Sequence, residues 1–452
     1  MSGPRRILHL NTSDSGGGAE GSAWELCCYM RQQGLEAKLL VGRKYRVSDA
    51  VIELPRPPSY FIPGRPLQYL GGFCRRHEQA SALCRPLSRI LERLAHPRRL
   101  WQWWRGLEEF DYPGSAGILE MTQNPPDLLH CHNLHGYYFD LRVLPELSRR
   151  VPVVLSLHDA WLLSGHCSHF FDCQRWQNGC GKCPNLKIYP PCRRDNTAQN
   201  WRTKADIYAR SRLYVTAPSQ WLLKQAQNSM LKAKEYRMIP NGIDCQVFKP
   251  GSRAEARKEL KLPLQSAMVL FCAASPKSAF KDPQTMSKTV LELARQNPGL
   301  RFVCIGLSRV PEELRGLPLL ALPYLSDPKV LAQYYRAADV FVHTAKAETF
   351  GKTVTESMAC ASAVVASAVG GLTEQILPGK TGLLAKPGDP EDTANAVMQL
   401  LNMPAEAKAD MDAAAARQGA KYSLQNQGDA FMQWYEEILV ETRQSKILPS
   451  ES

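Results

Sequence analysis

The chain lacks any run of the roughly 18 consecutive apolar residues that a membrane-crossing helix needs. Its opening, MSGPRRILHLNTS, holds only a short apolar run at 7–10, too brief for the hydrophobic region of a secretory signal. Low-complexity tracts and internal repeats are also missing, which leaves an ordinary globular protein expected to stay in the cytoplasm. Acidic residues are in deficit, 43 Asp and Glu against 56 Lys and Arg, for a net charge of +13. That imbalance suits a polyanionic partner (nucleic acid, anionic lipid or a phosphorylated substrate) or a general solubility charge. The fourteen cysteines, in a reducing compartment, read as buried thiols or metal ligands rather than disulfides. At 452 residues the chain exceeds what one core fills, so two or three domains are expected.

Along the chain, 5–10 reads as a short buried strand, followed by the glycine loop Gly16-Gly17-Gly18, a helical stretch over 19–33 and a strand over 36–41. This β–loop–α–β opening predicts an α/β protein with a parallel sheet. Further strands are predicted at 127–132, 151–159 and 212–219, and a second α/β series at 267–274, 300–306, 338–344 and 362–367. An amphipathic helix is predicted around 429–440. Residues 54–126 differ in character. Proline-rich text leads into a basic helical segment in which Leu83, Leu87, Ile90 and Leu94 share a face by 4-3-4 spacing, among many arginines and before Trp101, Trp103 and Trp104. Two readings stand for 74–105: a helix docked on an anionic membrane surface, or one packing its leucine face on the first domain with its arginines in water.

The chemistry concentrates at 343–376, HTAKAETFGKTVTESMACASAVVASAVGGLTEQI. A strand ends near His343, Glu348 follows in a loop, Phe350-Gly351 opens a helix containing Glu356, and a glycine turn, Gly370-Gly371, follows the next strand. Glycine at a loop-to-helix junction lets backbone N–H groups approach an anion, and the helix N-terminus favours a diphosphate. Two carboxylates beside it cannot hold phosphate but can accept hydrogen bonds from sugar and ribose hydroxyls. A solvated helix with surface glutamates is the plainer alternative.

ETFGKTVTESMA, at 348–359, resembles the E-x7-E region of the group 1 retaining glycosyltransferases, and the resemblance extends over most of the chain, including NTSDSGGGAE, HCHNLHGYYF, LSLHDAWLLSGHC and IPNGID. HCHNLHGYYF and LSLHDAWLLSGHC are similar to the motifs of a subgroup acting in bacterial exopolysaccharide and lipopolysaccharide assembly. The resemblance implies the GT-B fold: two Rossmann-like domains facing each other across a cleft, with a C-terminal helix returning to the first. Their implied extents are 1–240 (acceptor side, with a basic insertion at 54–126 and a cysteine-rich loop at 160–200), 241–425 (nucleotide-sugar side) and 426–452 (return helix and tail). It implies a nucleotide-diphosphate-sugar donor, a glycan or lipid-linked acceptor, and no metal or other cofactor in catalysis. Glu348 would contact donor-sugar hydroxyls, Phe350 and Gly351 would bring backbone amides to the donor, and Glu356 would bind the ribose. Gly16 and Gly17 would lie near the diphosphate or acceptor, and His158 would face the donor sugar. Ala273 and Ala274 stand where the family has Gly-Arg. Lys281 matches the expected lysine, and Lys277 could supply the missing charge, although lysine does not reproduce a bidentate arginine. No second carboxylate is placed as a nucleophile, so front-face attack is the expected route to retention.

Cys167, Cys173, Cys180 and Cys183 have C-x5-C-x6-C-x2-C spacing that suits four thiolates on a structural zinc, with packing thiols or a redox pair as alternatives. An epimerase or a degenerate nucleotide-sugar binder of the same fold is the nearest competing reading. A basic, zinc-bearing nucleic-acid binder would explain the charge and the cysteines. It would leave Glu348, Glu356 and the glycine loops without a role, and the basic residues form no recognition motif, so nucleic acid is not an expected partner.

Overall fold

The computed structural model describes residues 6–77, 81, 83–272 and 280–447. The chain forms two compact units, Met1–Thr216 with Lys224–Arg237 and Met432–Ser452, and Ala217–Leu223 with Met238–Phe431. The first is built on seven strands: β1 (Arg6–Ser13), β2 (Glu36–Arg43), β3 (Val51–Glu53), β4 (Leu128–Cys131), β5 (Val153–Ser156), β6 (Leu213–Ala217) and β7 (Glu235–Met238). Their order is β3-β2-β1-β4-β5-β6-β7. β1 runs parallel to both β2 and β4, with Leu10 opposite Leu40 and Cys131. The inner strands carry continuous apolar runs, such as Val153, Val154 and Leu155, because helices cover both faces of a parallel sheet.

The second unit carries β8 (Met268–Cys272), β9 (Arg301–Ile305), β10 (Leu319–Leu322), β11 (Val340–His343), β12 (Ala363–Ser367) and β13 (Gly382–Ala385). The order is β10-β9-β8-β11-β12-β13, with every pair parallel. One apolar cluster lies on each face of this sheet, around Phe341 and Met358 on one side and Phe271 and Val290 on the other, and buries its inner strands.

The C-terminal helix is longer than its sequence signal, Leu424–Ile447. From Met432 onward it groups with the first unit. There the Trp434 indole N–H donates to Glu235 at 2.9 Å, and the Tyr435 hydroxyl bonds to His130 Nδ1 at 2.5 Å. The insertion forms helices Arg65–Arg76, Cys84–Ala95 and Pro97–Arg105. Its leucine face does not pack on the first unit: Leu83, Leu87, Ile90 and Leu94 are all exposed. Among the described residues, no helix is long and apolar enough to cross a membrane.

Candidate active site

In the second sheet the chain runs from β8 outward to β9 on one side and returns as β11 on the other. Ligands in open α/β sheets sit beyond the strand carboxyl ends at such a reversal. The predicted residues gather there. Lys281 follows β8, and Glu348 lies five residues past the end of β11. The two loops are tied by a hydrogen bond from the Lys346 N–H to the Phe280 carbonyl at 2.9 Å. Lys281 Nζ forms an ion pair with Glu348 Oε2, and His343 Nε2 lies 3.2 Å from the same oxygen. Burial by itself would raise the Glu348 carboxyl. The Lys281 charge and the His343 hydrogen bond outweigh it and hold the group well below the ordinary carboxylate range. His343 is pushed down, by burial first and by Lys281 second, so a neutral ring beside an ionised carboxylate is favoured.

Gly351 adopts φ +76° at the start of helix Lys352–Ala359, and a Cβ there would lie 2.3 Å from Leu372 Cδ2. Gly370 and Gly371 pin the Glu348 loop from behind. The Gly371 N–H donates to the Glu348 carbonyl at 3.2 Å. A Cβ on Gly370 (φ +49°) would meet that same oxygen at 1.9 Å, and one on Gly371 would meet the Thr349 oxygen at 2.3 Å. The second glycine turn is therefore part of the same site, set by backbone against backbone. Phe350 is buried, edge-on to Tyr422. Glu356 is buried, on the helix that Gly351 begins, and its Oε2 accepts from the Tyr335 hydroxyl at 3.1 Å. Lys277, Ala273 and Ala274 lie outside the described residues.

In the first unit, Gly16 (φ +115°) and Gly17 sit between β1 and helix Gly18–Gln32, and His158 lies two residues beyond β5. His158 Nε2 is 3.1 Å from His132 Nδ1, and His132 Nε2 is 3.2 Å from His9 Nδ1. Burial lowers His9 to about 3 and takes His132 and His130 well below the ordinary histidine range. His9, His130 and His132 are thus neutral imidazoles, and His132 links His158 to them through its ring nitrogens. His9, His130 and His132 are the one trio of potential metal ligands that converges among the described residues. Both nitrogens of His130 and of His132 are already hydrogen-bonded, which disfavours a metal. His135 pairs with Asp159 at 2.9 Å. Burial opposes the charge on both, yet each holds the other ionised, His135 raised and Asp159 lowered. Sequence reasoning passed over His343, Tyr335, His132, His135 and Asp159. The alternation of HCH in β4 and the Asp after His158 were the available signals.

An open cavity of ≈ 590 Å³, its mouth included, is lined by Trp103, Glu108, Glu109, His135, Tyr137 and Trp161 among others. His135 Nδ1 and Trp161 Nε1 are buried without a hydrogen-bond partner. On one flank lies the cysteine-rich loop. Cys180 (φ +55°), Gly181 and Lys182 form a left-handed turn, the Gly165 N–H points at Cys180 Sγ at 3.3 Å, and His166 Nε2 is 3.3 Å from Cys183 Sγ. Burial raises Cys167 to about 12 and Cys180 to about 11, so without a cation they are thiols. Among the described residues, no three of the sulfurs of Cys167, Cys173, Cys180 and Cys183 converge within 4.8 Å. A shared zinc would require these side chains to rotate.

Two Rossmann-like parallel-sheet units, each gathering residues singled out in the sequence beyond its strand carboxyl ends, define the GT-B fold. The family model described as Glycosyltransferase Family 4 matches residues 16–247, and that described as Glycosyl transferases group 1 matches 252–418; the chain belongs to glycosyltransferase family 4. The D-inositol 3-phosphate glycosyltransferase of Acidothermus cellulolyticus is 31% identical over 225 residues, covering 46% of this chain and 49% of that protein. The chain thus spans about half the length of the curated relatives it matches. Among solved structures, sucrose-phosphate synthase from Thermosynechococcus elongatus superposes with a TM-score of 0.63 at 20% identity, over 96% of this chain and 99% of that one. Anabaena HepE in complex with UDP-glucose does so at 0.59 and 18%, over 97% and 99%.

Proposed function

We propose that the chain transfers a hexosyl group from a nucleoside-diphosphate sugar to a glycan or lipid-linked acceptor, with retention of anomeric configuration, in the assembly of a bacterial surface polysaccharide. The observation that carries the reading is the Lys281–Glu348–His343 cluster at the β8/β11 reversal, followed along the chain by Gly351 and the buried Glu356. The UDP-glucose held by HepE supports the donor class. In this reading Glu356, oriented by Tyr335, accepts from the ribose hydroxyls, and Glu348, kept ionised, accepts from hydroxyls of the sugar. Lys281 and the backbone N–H groups at the start of helix Lys352–Ala359 take the charge that grows on the leaving diphosphate. The bond from the anomeric carbon to the diphosphate oxygen breaks with its electron pair on the diphosphate. The acceptor oxygen bonds to the same face of that carbon and passes its proton to the departing phosphate oxygen. His158 is assigned to stabilising charge that develops at the sugar. The cavity lined by Trp103, His135 and Trp161 offers aromatic side chains suited to the faces of an acceptor sugar.

Incubation with UDP-glucose and other nucleotide sugars, with the product anomer read by NMR, tests the reading. A product of unchanged anomeric configuration that disappears in Glu348→Gln supports it. An inverted product, or epimerised donor without transfer, removes it. The structural-zinc reading of the four cysteines rests on their spacing and on the turn at 180–182. Elemental analysis showing one zinc per chain would support it, and a folded, metal-free chain would end it.

A further inference from the structure

The insertion is built inside out. In helix Cys84–Ala95 the charged side faces inward. Glu92, on that side, takes both Arg56 and Arg75 at 2.8 Å, and Arg93 reaches Glu109 at 2.8 Å. Arg99, on the next helix, is buried against the Tyr112 ring and the Asp111 carbonyl. The opposite face, Leu87, Ile90 and Leu94, stands in water at 45%, 53% and 43% exposure. More than half of the large apolar side chains exposed among the described residues lie between residues 60 and 104. An apolar surface this concentrated is a contact surface.

Its charge says what it contacts. Between residues 54 and 107 there are ten arginines, no lysine and only two carboxylates, Glu78 and Glu92. Glu92 is engaged by arginines, and Glu78 lies outside the described residues. The exposed arginines share faces with the exposed apolar groups. Arg65, Tyr69, Phe73 and Arg76 follow one another at 4-4-3 spacing on helix Arg65–Arg76, and Arg98, Trp101, Trp104 and Arg105 cluster on helix Pro97–Arg105. Apolar side chains ringed by arginine, with tryptophan among them, match an anionic lipid surface, where the rings enter the headgroup boundary and the guanidinium groups meet phosphates. A second copy matches poorly, because a two-fold contact would set these arginines against themselves.

We propose that the outward apolar face of helices Arg65–Arg76, Cys84–Ala95 and Pro97–Arg105 seats the chain on an anionic membrane surface. Trp103, on the last of these helices, lines the cavity assigned above to the acceptor, so docking would bring that cavity to the lipid boundary. This last link, though not the docking itself, rests on the transferase reading.

The test is sedimentation of the full chain with phosphatidylcholine vesicles containing about 30% phosphatidylglycerol, against phosphatidylcholine alone. The chain is expected to bind the anionic vesicles and to release as salt rises. Arg65→Gln/Arg76→Gln/Arg98→Gln/Arg105→Gln is expected to lower partitioning about five-fold per arginine. Leu87→Ser/Ile90→Ser/Trp101→Ser is expected to abolish it while the thermal transition and nucleotide binding stay unchanged. Three outcomes overturn the proposal: no binding to anionic vesicles, equal binding by wild type and both variants, or a wild-type dimer that the serine variant splits into monomers. A chain that docks but transfers no sugar would refute the transferase reading alone.

Discussion

Lys281, Glu348 and the buried histidines carry most of the charge logic. Replacing Lys281 with Met leaves Glu348 half-buried without its cation, so its carboxyl rises toward what burial dictates. We expect a loss of about 2 kcal/mol of stability in denaturant titration, together with loss of transfer. An unchanged midpoint would contradict the ion pair. Because the folded-state pKa of Glu348 is depressed, its contribution is complete above about 4.3 and is lost as pH falls through the folded value. Glu348→Gln should therefore remove part of the acid sensitivity. His9, His130 and His132 are neutral in the fold, whereas unfolded histidine gains a proton below about 6.5. The unfolded chain then binds more protons, and each ring destabilises the fold by about 1.4 kcal/mol per pH unit as pH drops below that value. His135, with its raised pKa, acts in the opposite direction, contributing below about 6.5 and losing that contribution as pH rises through its folded value. Urea unfolding at pH 7.5 and 5.5 should show a net loss of at least about 2 kcal/mol on acidification; a flat profile would mean that the rings are hydrated or charged. His132→Phe removes the 3.1 Å hydrogen bond at His158 Nε2. The nitrogen NMR signal of that nitrogen should shift, and an unchanged signal would mean that His132 does not bond to it.

Among the elements, the Glu348 loop depends on the turn behind it. Gly370→Ala and Gly371→Ala each drive a Cβ into a carbonyl of residues 348–349, and at Gly370 the left-handed backbone adds about 1 kcal/mol. Each change should cut kcat/KM at least about ten-fold by moving Glu348, while helix content stays the same. Wild-type kinetics in both would dismiss the turn as a support. Legibility in the sequence also varied by element. The inner strands were read because burial on both faces writes an unbroken apolar run. The four strands left unread, β3, β7, β10 and β13, are the two edges of each sheet. They are three or four residues long and have a neighbour on only one side, so EYRM or GLLA carries little strand signal. The leucine face of helix Cys84–Ala95 was read correctly as a face. Whether it turned inward or outward could not be read, because Arg56, Glu92 and Glu109 decide it from distant positions. His343 and Tyr335 were missed for a similar reason: each looks like a core residue until its partner, Glu348 or Glu356, is placed beside it.

For the whole molecule, the two-unit architecture makes a specific claim about where the donor acts. The proposed donor groups Lys281, Glu348, Gly351 and Glu356 all belong to the second unit, so a nucleotide should stabilise that unit. A chain of two units need not unfold in a single step. The most direct measurement is a thermal-shift titration of the full chain with UDP, GDP, ADP and CMP, repeated on Glu356→Gln. A ligand bound only by the folded state at one hundred times its dissociation constant adds about 2.7 kcal/mol. A clear rise in the melting temperature is expected with one nucleoside diphosphate, and a much smaller rise in the variant. No shift with any nucleotide, or an equal shift in the variant, would contradict a nucleotide-sugar site at the β8/β11 reversal.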